Sequence, residues 1–241
     1  VKMSGHSKWA TIHRKKGELD AARGKVFQKL AKEIYVAARG TNGDPLSNPG
    51  LRAVIEKARG SNMPKDNIQK AIDKAVGNND GESYEQIRYE GYGPSGVAIM
   101  IDCLTDNRNR TAMLVRSTLT KRGGNLGTDG SVSYLFERKG VIVIDKVLDE
   151  DTVMMTALDN GALDVITNED SYEIYTSPED FLKVKDALVE LGVNEFLTSE
   201  ITFVPKNSIE LDDEASEKVM TLVEQLEDID DVQNVYHNLS I

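Results

Sequence analysis

The sequence predicts an α+β protein: an N-terminal three-helix bundle plus two α+β domains, one of them ferredoxin-like and inserted into the other. Apolar residues recur at helical spacing in residues 18–75, whereas short apolar strands alternate with single helices in residues 85–237. The charge changes at the same place. Residues 1–75 hold 16 Lys and Arg and 7 Asp and Glu, a net of +9, whereas the other residues hold 13 basic and 33 acidic side chains, a net of −20.

Three amphipathic helices are predicted in the N-terminal segment. The first covers about residues 18–39, the second begins at Pro49, which suits the first helical position, and the third follows Asn62-Met63-Pro64. Their predicted buried stripes are Phe27, Leu30, Ala31, Ile34 and Ala38; Leu51, Val54, Ile55 and Ala58; and Ile68, Ala71, Ile72 and Ala75. Short links between the helices indicate a small bundle.

The rest of the chain predicts an insertion. Residues 138–205 follow the order βαββαβ, which is typical of a ferredoxin-like fold. Residues 84–137 contain strands, one of them near 131–137, but only one helix to cover their sheet, and the tail after residue 206 supplies another helix and another strand. We therefore expect three domains: residues 1–78, residues 79–137 with 206–241, and residues 138–205 inserted between those two parts.

The basic N-terminal segment is the predicted nucleic-acid-binding region. On the first helix, Lys25, Lys29, Lys32 and Arg39 cluster within about 80° of one another, away from the apolar stripe. A run of cations with few acids suits phosphates. The predicted contacts in the arm and first helix are Lys8, Trp9, His13, Arg14, Lys15, Lys16, Arg23, Lys25, Lys29, Lys32 and Arg39. We expect glutamate at Lys25, Lys29 and Lys32 together to abolish binding without unfolding the chain.

Two alternatives stay open for these residues. The basic segment is also what a domain that docks on its own acidic partner domain would have. Trp9, the single tryptophan, has two interpretations: it stacks on an exposed base, or it anchors the arm to the bundle.

A second candidate site lies in residues 105–111, between a strand and a helix. Thr105 or Asp106 can cap the helix, and Arg108 and Arg110 can bind an anion together with free backbone N–H groups. The alternative is a capped helix whose arginines pair with local carboxylates such as Asp102 or Asp129.

Other motifs give no support for catalysis. Residues 91–96 match GxGxxG, but a strand follows instead of a helix, so the motif predicts a hairpin turn. The glycine-rich residues 123–130 lack the ending of a phosphate-binding loop. The three histidines have no metal-ligand spacing, and Cys103 lies in an apolar strand with no local base. We expect no enzyme activity, no cofactor and no metal.

Several separate motifs resemble the YebC family. They are Gly5-His6-Ser7-Lys8-Trp9, Lys65-Asp66-Asn67-Ile68, Gly91-Tyr92-Gly93-Pro94, residues 105–111, Gly123-Gly124-Asn125-Leu126-Gly127, residues 131–136, and residues 231–238. One departure is Ser95, where the family often has glycine. The resemblance runs from Met3 to the end of the chain.

The resemblance implies a three-domain cytoplasmic protein without known enzymatic activity. The family is customarily labelled a probable transcriptional regulator that binds DNA, while its mitochondrial relatives resemble translational activators and bacterial members resemble ribosome-linked factors. The residues favour ribosomal RNA and the ribosome as partners, because no helix-turn-helix dimer signature is present. DNA is the alternative target, and a protein-docking module is the second alternative. The sequence has no run of 18 apolar residues and no secretory signal, so no membrane partner is expected.

Overall fold

The structure, a computed structural model, describes residues 20–77, 81 and 83–240. The described residues belong to two compact units, one with residues 20–27, 55–64 and 138–203 and the other with the described parts of 28–54, 65–137 and 204–240. Within these ranges, no helix is both long and apolar enough to cross a membrane.

Three helices form the N-terminal part: α1 (Asp20–Ala38), α2 (Pro49–Gly60) and α3 (Lys65–Val76). Helix α1 ends before Gly40, whose φ of 74° is readily adopted only by glycine. The side chain of Asn48 caps α2 by accepting a hydrogen bond from the Leu51 N–H at 3.0 Å. The predicted stripes face inward, since their buried members are Leu30, Ile34, Ala38, Leu51, Ile55, Ala58, Ile68, Ala71, Ile72 and Ala75.

The first sheet joins the middle of the chain to its end. Its elements are β1 (Glu85–Tyr92), β2 (Ala98–Thr105), α4 (Arg108–Lys121), β3 (Asn125–Leu126), α7 (Asp213–Glu227) and β8 (Val232–His237). The strand order is β3-β1-β2-β8, and the three pairings are antiparallel. Helices α4 and α7 cover one face, where Ile99, Ile101, Val115, Leu119 and Leu222 are fully buried.

The second sheet is the predicted ferredoxin-like fold. Its elements are β4 (Phe136–Asp145), α5 (Glu150–Asp159), β5 (Asp164–Thr167), β6 (Ser171–Thr176), α6 (Phe181–Glu190) and β7 (Thr198–Pro205). The strand order β5-β6-β4-β7 places the first and third strands at the centre and the second and fourth at the edges. The predicted fold class, with one α+β sheet interrupted by another, is therefore confirmed, whereas the domain boundaries stay a prediction.

The structure differs from the expected strand near residues 131–137. A short 3-10 turn at Ser133–Leu135 occupies that position, and β4 begins only at Phe136 and runs without interruption to Asp145. The physical reason is Glu90, whose buried carboxylate accepts hydrogen bonds from the N–H groups of Gly130, Val132 and Ser133. Those N–H groups are then not available for strand pairing.

The glycine motifs are explained by close backbone contacts. The predicted hairpin is confirmed, since β1 pairs with β2 through the turn that contains residues 93–97. A Cβ added at Gly91 would lie 2.4 Å from the Asn125 carbonyl oxygen, and one added at Gly124 would lie 2.4 Å from the Tyr92 carbonyl oxygen. Both positions need glycine because β3 packs against the end of β1 backbone to backbone.

Candidate nucleic-acid interface

The predicted N-terminal arm lies outside the described residues. This concerns six of the predicted contacts: Lys8, Trp9, His13, Arg14, Lys15 and Lys16. Their role stays a prediction that rests on the sequence, on charge for the basic residues and on stacking for Trp9.

The other predicted cations of the N-terminal segment lie on α1 or directly after it. They are Arg23, Lys25, Lys29, Lys32 and Arg39. Arg23 is exposed and the other four side chains are half-buried. All five interact with other groups of the protein. The face that the sequence predicts for phosphates is thus in contact with the protein itself.

Lys29 and Lys32 contact the end of α7. The Lys29 ammonium donates to the carbonyl oxygen of Glu227, the last residue of that helix. The Lys32 ammonium donates to the carbonyl oxygens of Leu104 at 3.3 Å and Asp230 at 3.4 Å. It also lies 5.1 Å from the centre of the Tyr84 ring, within range of a cation–π interaction.

Arg39 is also engaged. Its guanidinium donates to the carbonyl oxygen of Gly81 at 3.3 Å. Tyr35, on α1, makes two contacts through its ring. The ring of Tyr35 meets Tyr84 edge to face at 6.1 Å, and the Lys74 ammonium lies 5.5 Å from the centre of the Tyr35 ring. The aromatic partners of these lysines were not predicted, because Tyr84 is distant in sequence from α1.

Residues 105–111 form the capped turn that the sequence predicts, with a different cap. Asn107, rather than Thr105 or Asp106, caps α4 by accepting from the Arg110 N–H at 3.0 Å. The hydroxyl of Thr105 accepts from the Asn107 N–H at 2.9 Å and thereby supports the turn.

Both arginines of this segment have carboxylate partners. Arg108 binds Glu85 at 2.7 Å. Arg110 donates from Nε and Nη2 to both oxygens of Asp231, at 3.0 and 2.7 Å, and from Nη2 to Asp106 at 2.7 Å. The sequence offered arginine–carboxylate pairing as the alternative to an anion site. Such pairs are present, but their partners are Glu85, Asp106 and Asp231 rather than Asp102 or Asp129. Asp102 binds Arg88 instead.

Asp231 is the centre of a buried polar cluster. Its side chain is 7% exposed and also accepts from the Thr111 hydroxyl at 2.8 Å. The hydrogen bonds to Asp231 and Asp106 raise the pKa of the Arg110 guanidinium above its ordinary value, although burial opposes this. The hydrogen bond from Arg110 lowers the pKa of Asp106. Arg110 therefore carries a permanent charge that these two carboxylates neutralise.

A cleft of about 680 Å³ opens beside these groups. Its charged lining consists of Lys32, Arg110, Asp106, Asp228, Asp230 and Asp231. Four carboxylates against two cations give the cleft a negative balance, which disfavours the entry of a phosphate. An anion site formed by Arg108 and Arg110 stays a prediction, and these contacts weaken the argument for it.

Five exposed cations on α2 and α3 were not among the predicted contacts. They are Arg52, Arg59, Lys65, Lys70 and Lys74. Arg59 pairs with Glu56 at 2.8 Å, and Lys74 lies over the Tyr35 ring. The lysines of α3 alternate with Asp66 and Asp73, so charge pattern alone does not identify α3 as a basic face. Exposure is the property that distinguishes these cations from Lys29 and Lys32, and periodicity alone does not report it.

Neither Cys103 nor a metal-ligating cluster offers a catalytic group in the part of the chain that the structure describes. Cys103 is 2% exposed in β2, and burial raises the pKa of its thiol to about 12, which keeps it protonated and unreactive. Within the described ranges, no three His, Cys, Asp or Glu side chains are arranged to hold a metal ion.

Two family models match the chain. The model described as "TACO1/YebC protein N-terminal domain" matches residues 7–78, and the model described as "TACO1/YebC second and third domain" matches residues 84–239. Together they cover nearly the whole sequence.

Curated relatives and a solved structure agree with these models. A protein of Geobacillus kaustophilus named probable transcriptional regulatory protein is 55% identical over 240 residues, which is 98% of this chain and 97% of the relative. A protein of the same name from Geobacter sulfurreducens is 53% identical over 239 residues, which is 99% of this chain and 96% of the relative. The crystal structure of a conserved hypothetical protein from Aquifex aeolicus has a TM-score of 0.80 and 46% identity over 93% of each chain. The relatives carry the name of a regulatory protein and not that of an enzyme. The chain belongs to the TACO1/YebC family.

Proposed function

We propose that this protein is a non-enzymatic, cytoplasmic, nucleic-acid-binding regulator of gene expression that grips phosphates with its basic N-terminal segment. The observation that carries the proposal is the charge distribution, with +9 in residues 1–75 and −20 in the rest. Such a field attracts a polyanion to one end of the chain and repels it from the other. The names of the relatives support a regulatory role.

The arm and the exposed cations of the bundle are the proposed contacts. Lys29 and Lys32 are less suitable than the sequence indicates, because their ammonium groups already donate to carbonyl oxygens. Replacing them with glutamate would disturb both these contacts and any phosphate contact. Arg52, Lys65 and Lys70 are exposed and allow a cleaner test of the same segment.

The charge-reversal test compares two triple variants. We expect Arg52→Glu, Lys65→Glu and Lys70→Glu together to weaken binding to single-stranded RNA at least about tenfold, because each removes a potential phosphate contact. The matched control is Lys183→Glu, Lys206→Glu and Lys218→Glu, three exposed lysines outside the N-terminal segment. About six phosphate contacts would give a log–log salt slope near −4 on single strands. Equal affinities of the two folded variants would refute the proposed surface.

Ribosomal RNA is the favoured target. A specific duplex reader needs side chains that discriminate base edges, commonly on paired recognition helices. On α3, the residue pair Gln69 and Asp73 hydrogen-bond each other at 2.8 Å, and Lys74 lies against Tyr35. Gln69 thus has a partner on its own helix, and the exposed Lys65 and Lys70 suit phosphates of any sequence. Translation is therefore the proposed level of regulation.

DNA-binding transcriptional regulation is the second candidate, and the names of the relatives favour it. Competition at about physiological salt separates the two. We expect ribosomes to displace a labelled promoter fragment more effectively than the same phosphate load of random DNA. A promoter that outcompetes scrambled DNA by about 10³ or more, and resists ribosomes, would establish the transcriptional function instead.

A further inference from the structure

The C-terminal end of α7 is an electronegative site that another helix neutralises. The last turn of α7 contains no basic residue, and Glu227, Asp228 and Asp230 lie at its end. Terminal carbonyl groups make this end of a helix negative, and a cation normally stabilises it. Here the cations come from α1, whose Lys29 and Lys32 reach the carbonyl oxygens of Glu227 and Asp230.

A side-chain amide adds to this contact. With its nitrogen toward α1, the Gln233 amide donates to the Lys29 carbonyl oxygen at 3.1 Å and to a Glu33 carboxylate oxygen at 3.3 Å. Two ammonium groups and one amide of this contact therefore donate to oxygen acceptors, and Lys32 also lies over the Tyr84 ring. Because the ammonium donors are charged, the strength of this contact depends on salt.

The carbonyl acceptors are weaker than phosphate. A hydrogen bond from an ammonium to an ionised oxygen is roughly twice as strong as one to a neutral acceptor. The bonds of Lys32 are long, at 3.3 and 3.4 Å, and both lysines are only half-buried. A phosphate can therefore compete for these ammonium groups without opening an apolar core.

We propose that Lys29 and Lys32 form a latch that holds α1 on the end of α7 and that nucleic-acid phosphates release. This inference rests on the proposed function. The latched form keeps two of the predicted phosphate contacts occupied by the protein's own carbonyl oxygens. The protein is then autoinhibited, because its apparent affinity is its intrinsic affinity reduced by the fraction of molecules in which the latch is open.

The latch itself is tested without nucleic acid, by lysine acetylation measured residue by residue with mass spectrometry. In low salt, we expect Lys29 and Lys32 to react more slowly than the exposed Lys65 and Lys70. Raising the salt to about 1 M shortens the Debye length to about 3 Å and should accelerate Lys29 and Lys32 selectively. Rates that keep the same ratio to Lys65 and Lys70 at all salt concentrations would overturn the latch.

Two charge-reversed variants test the coupling to binding. Glu227→Lys with Asp230→Lys places cations at the end of α7, where they neutralise the carbonyl oxygens and repel Lys29 and Lys32. The matched control, Glu210→Lys with Glu217→Lys, makes the same change in net charge at exposed positions away from that end. If about one molecule in ten is open in the native protein, the first variant should bind single-stranded RNA up to about tenfold more tightly than the control.

The outcomes separate the latch from the function on which it rests. Faster acetylation of Lys29 and Lys32 together with tighter binding than the control supports the latch. Binding by both variants with equal affinity refutes autoinhibition. If neither these variants nor the native protein binds nucleic acid, the proposed function is wrong, and salt-dependent acetylation then decides separately whether α1 is held by its lysines.

Discussion

Replacing Glu90 with glutamine should lower the free energy of unfolding by about 3–5 kcal/mol. The native carboxylate is 4% exposed, and its two oxygens accept from the N–H groups of Gly130 at 2.6 Å, Val132 at 3.1 Å and Ser133 at 2.5 Å. Oε2 accepts from Gly130 and Oε1 from the other two. In glutamine, one of these positions becomes an NH₂ group, which cannot accept a hydrogen bond.

The magnitude follows from these contacts. With the amide oxygen toward Val132 and Ser133, two bonds lose their charge assistance, at about 1 kcal/mol each, and the Gly130 N–H faces another donor, at about 1–3 kcal/mol. The opposite amide orientation leaves two N–H groups without an acceptor and is worse. Because Glu90 is buried, solvent does not screen the loss.

Urea denaturation of the variant and of a control tests this prediction. Glu85→Gln is the same substitution on the same strand, but Glu85 is half exposed in its pair with Arg108, so it should cost about 1 kcal/mol or less. If Glu90→Gln costs no more than this control, the account of the turn at 130–133 is wrong.

The pH dependence gives an independent check. Burial raises the pKa of Glu90, but the three backbone hydrogen bonds outweigh it, and the net pKa is lowered. A carboxylate with a lowered folded pKa stabilises the protein above its unfolded pKa, about 4.3, and loses this effect as the pH falls through the folded value. The difference between native protein and variant should thus be full at pH 7 and shrink in acid below about pH 4.

Three further predictions concern single positions. Ser95 has a φ of 61°, so Ser95→Gly should raise the unfolding free energy by about 0.5 kcal/mol, and a lower Tm would contradict this. Asp231→Ala should lower the free energy of unfolding, measured in urea, by about 2–3 kcal/mol, which is less than for a fully buried pair because Arg110 is 42% exposed. A loss below about 1 kcal/mol would show that Asp231 does not hold Thr111 and Arg110 together. The Cys103 thiol should react with a thiol reagent only as fast as the protein unfolds, and rapid reaction in native protein would contradict its burial.

The elements of the fold were largely predictable because apolar side chains recur at a regular spacing along most of each helix and strand. The apolar spacing of Leu30, Ile34 and Ala38 identifies the buried face of α1, and the βαββαβ order identifies the inserted sheet. Strand β3 was not predictable in the same way. It has two residues, and its position depends on how closely the backbones at Gly91 and Gly124 approach their neighbours.

The candidate site was less predictable, because its decisive contacts join residues that are far apart in the sequence. Periodicity places Lys29 and Lys32 on one face of α1 but does not say what meets that face. Lys29 contacts Glu227, 198 residues away, and Arg110 contacts Asp231, 121 residues away. A pattern of local charge has no information on such partners, so it predicted exposed cations where the structure has engaged ones.

The strand order of the first sheet has a consequence for synthesis of the chain. Strand β2 pairs with β1 on one side and with β8 on the other, and β8 begins only at Val232. The four strands of the second sheet are complete by Pro205. While the ribosome makes the chain, the second sheet can therefore close before β8 exists, and one edge of β2 stays unpaired until β8 is made. Unpaired strand edges are prone to association with other chains. Ile99 and Ile101 lie on that strand, so a factor that shields nascent chains has a defined interval in which to act on this one.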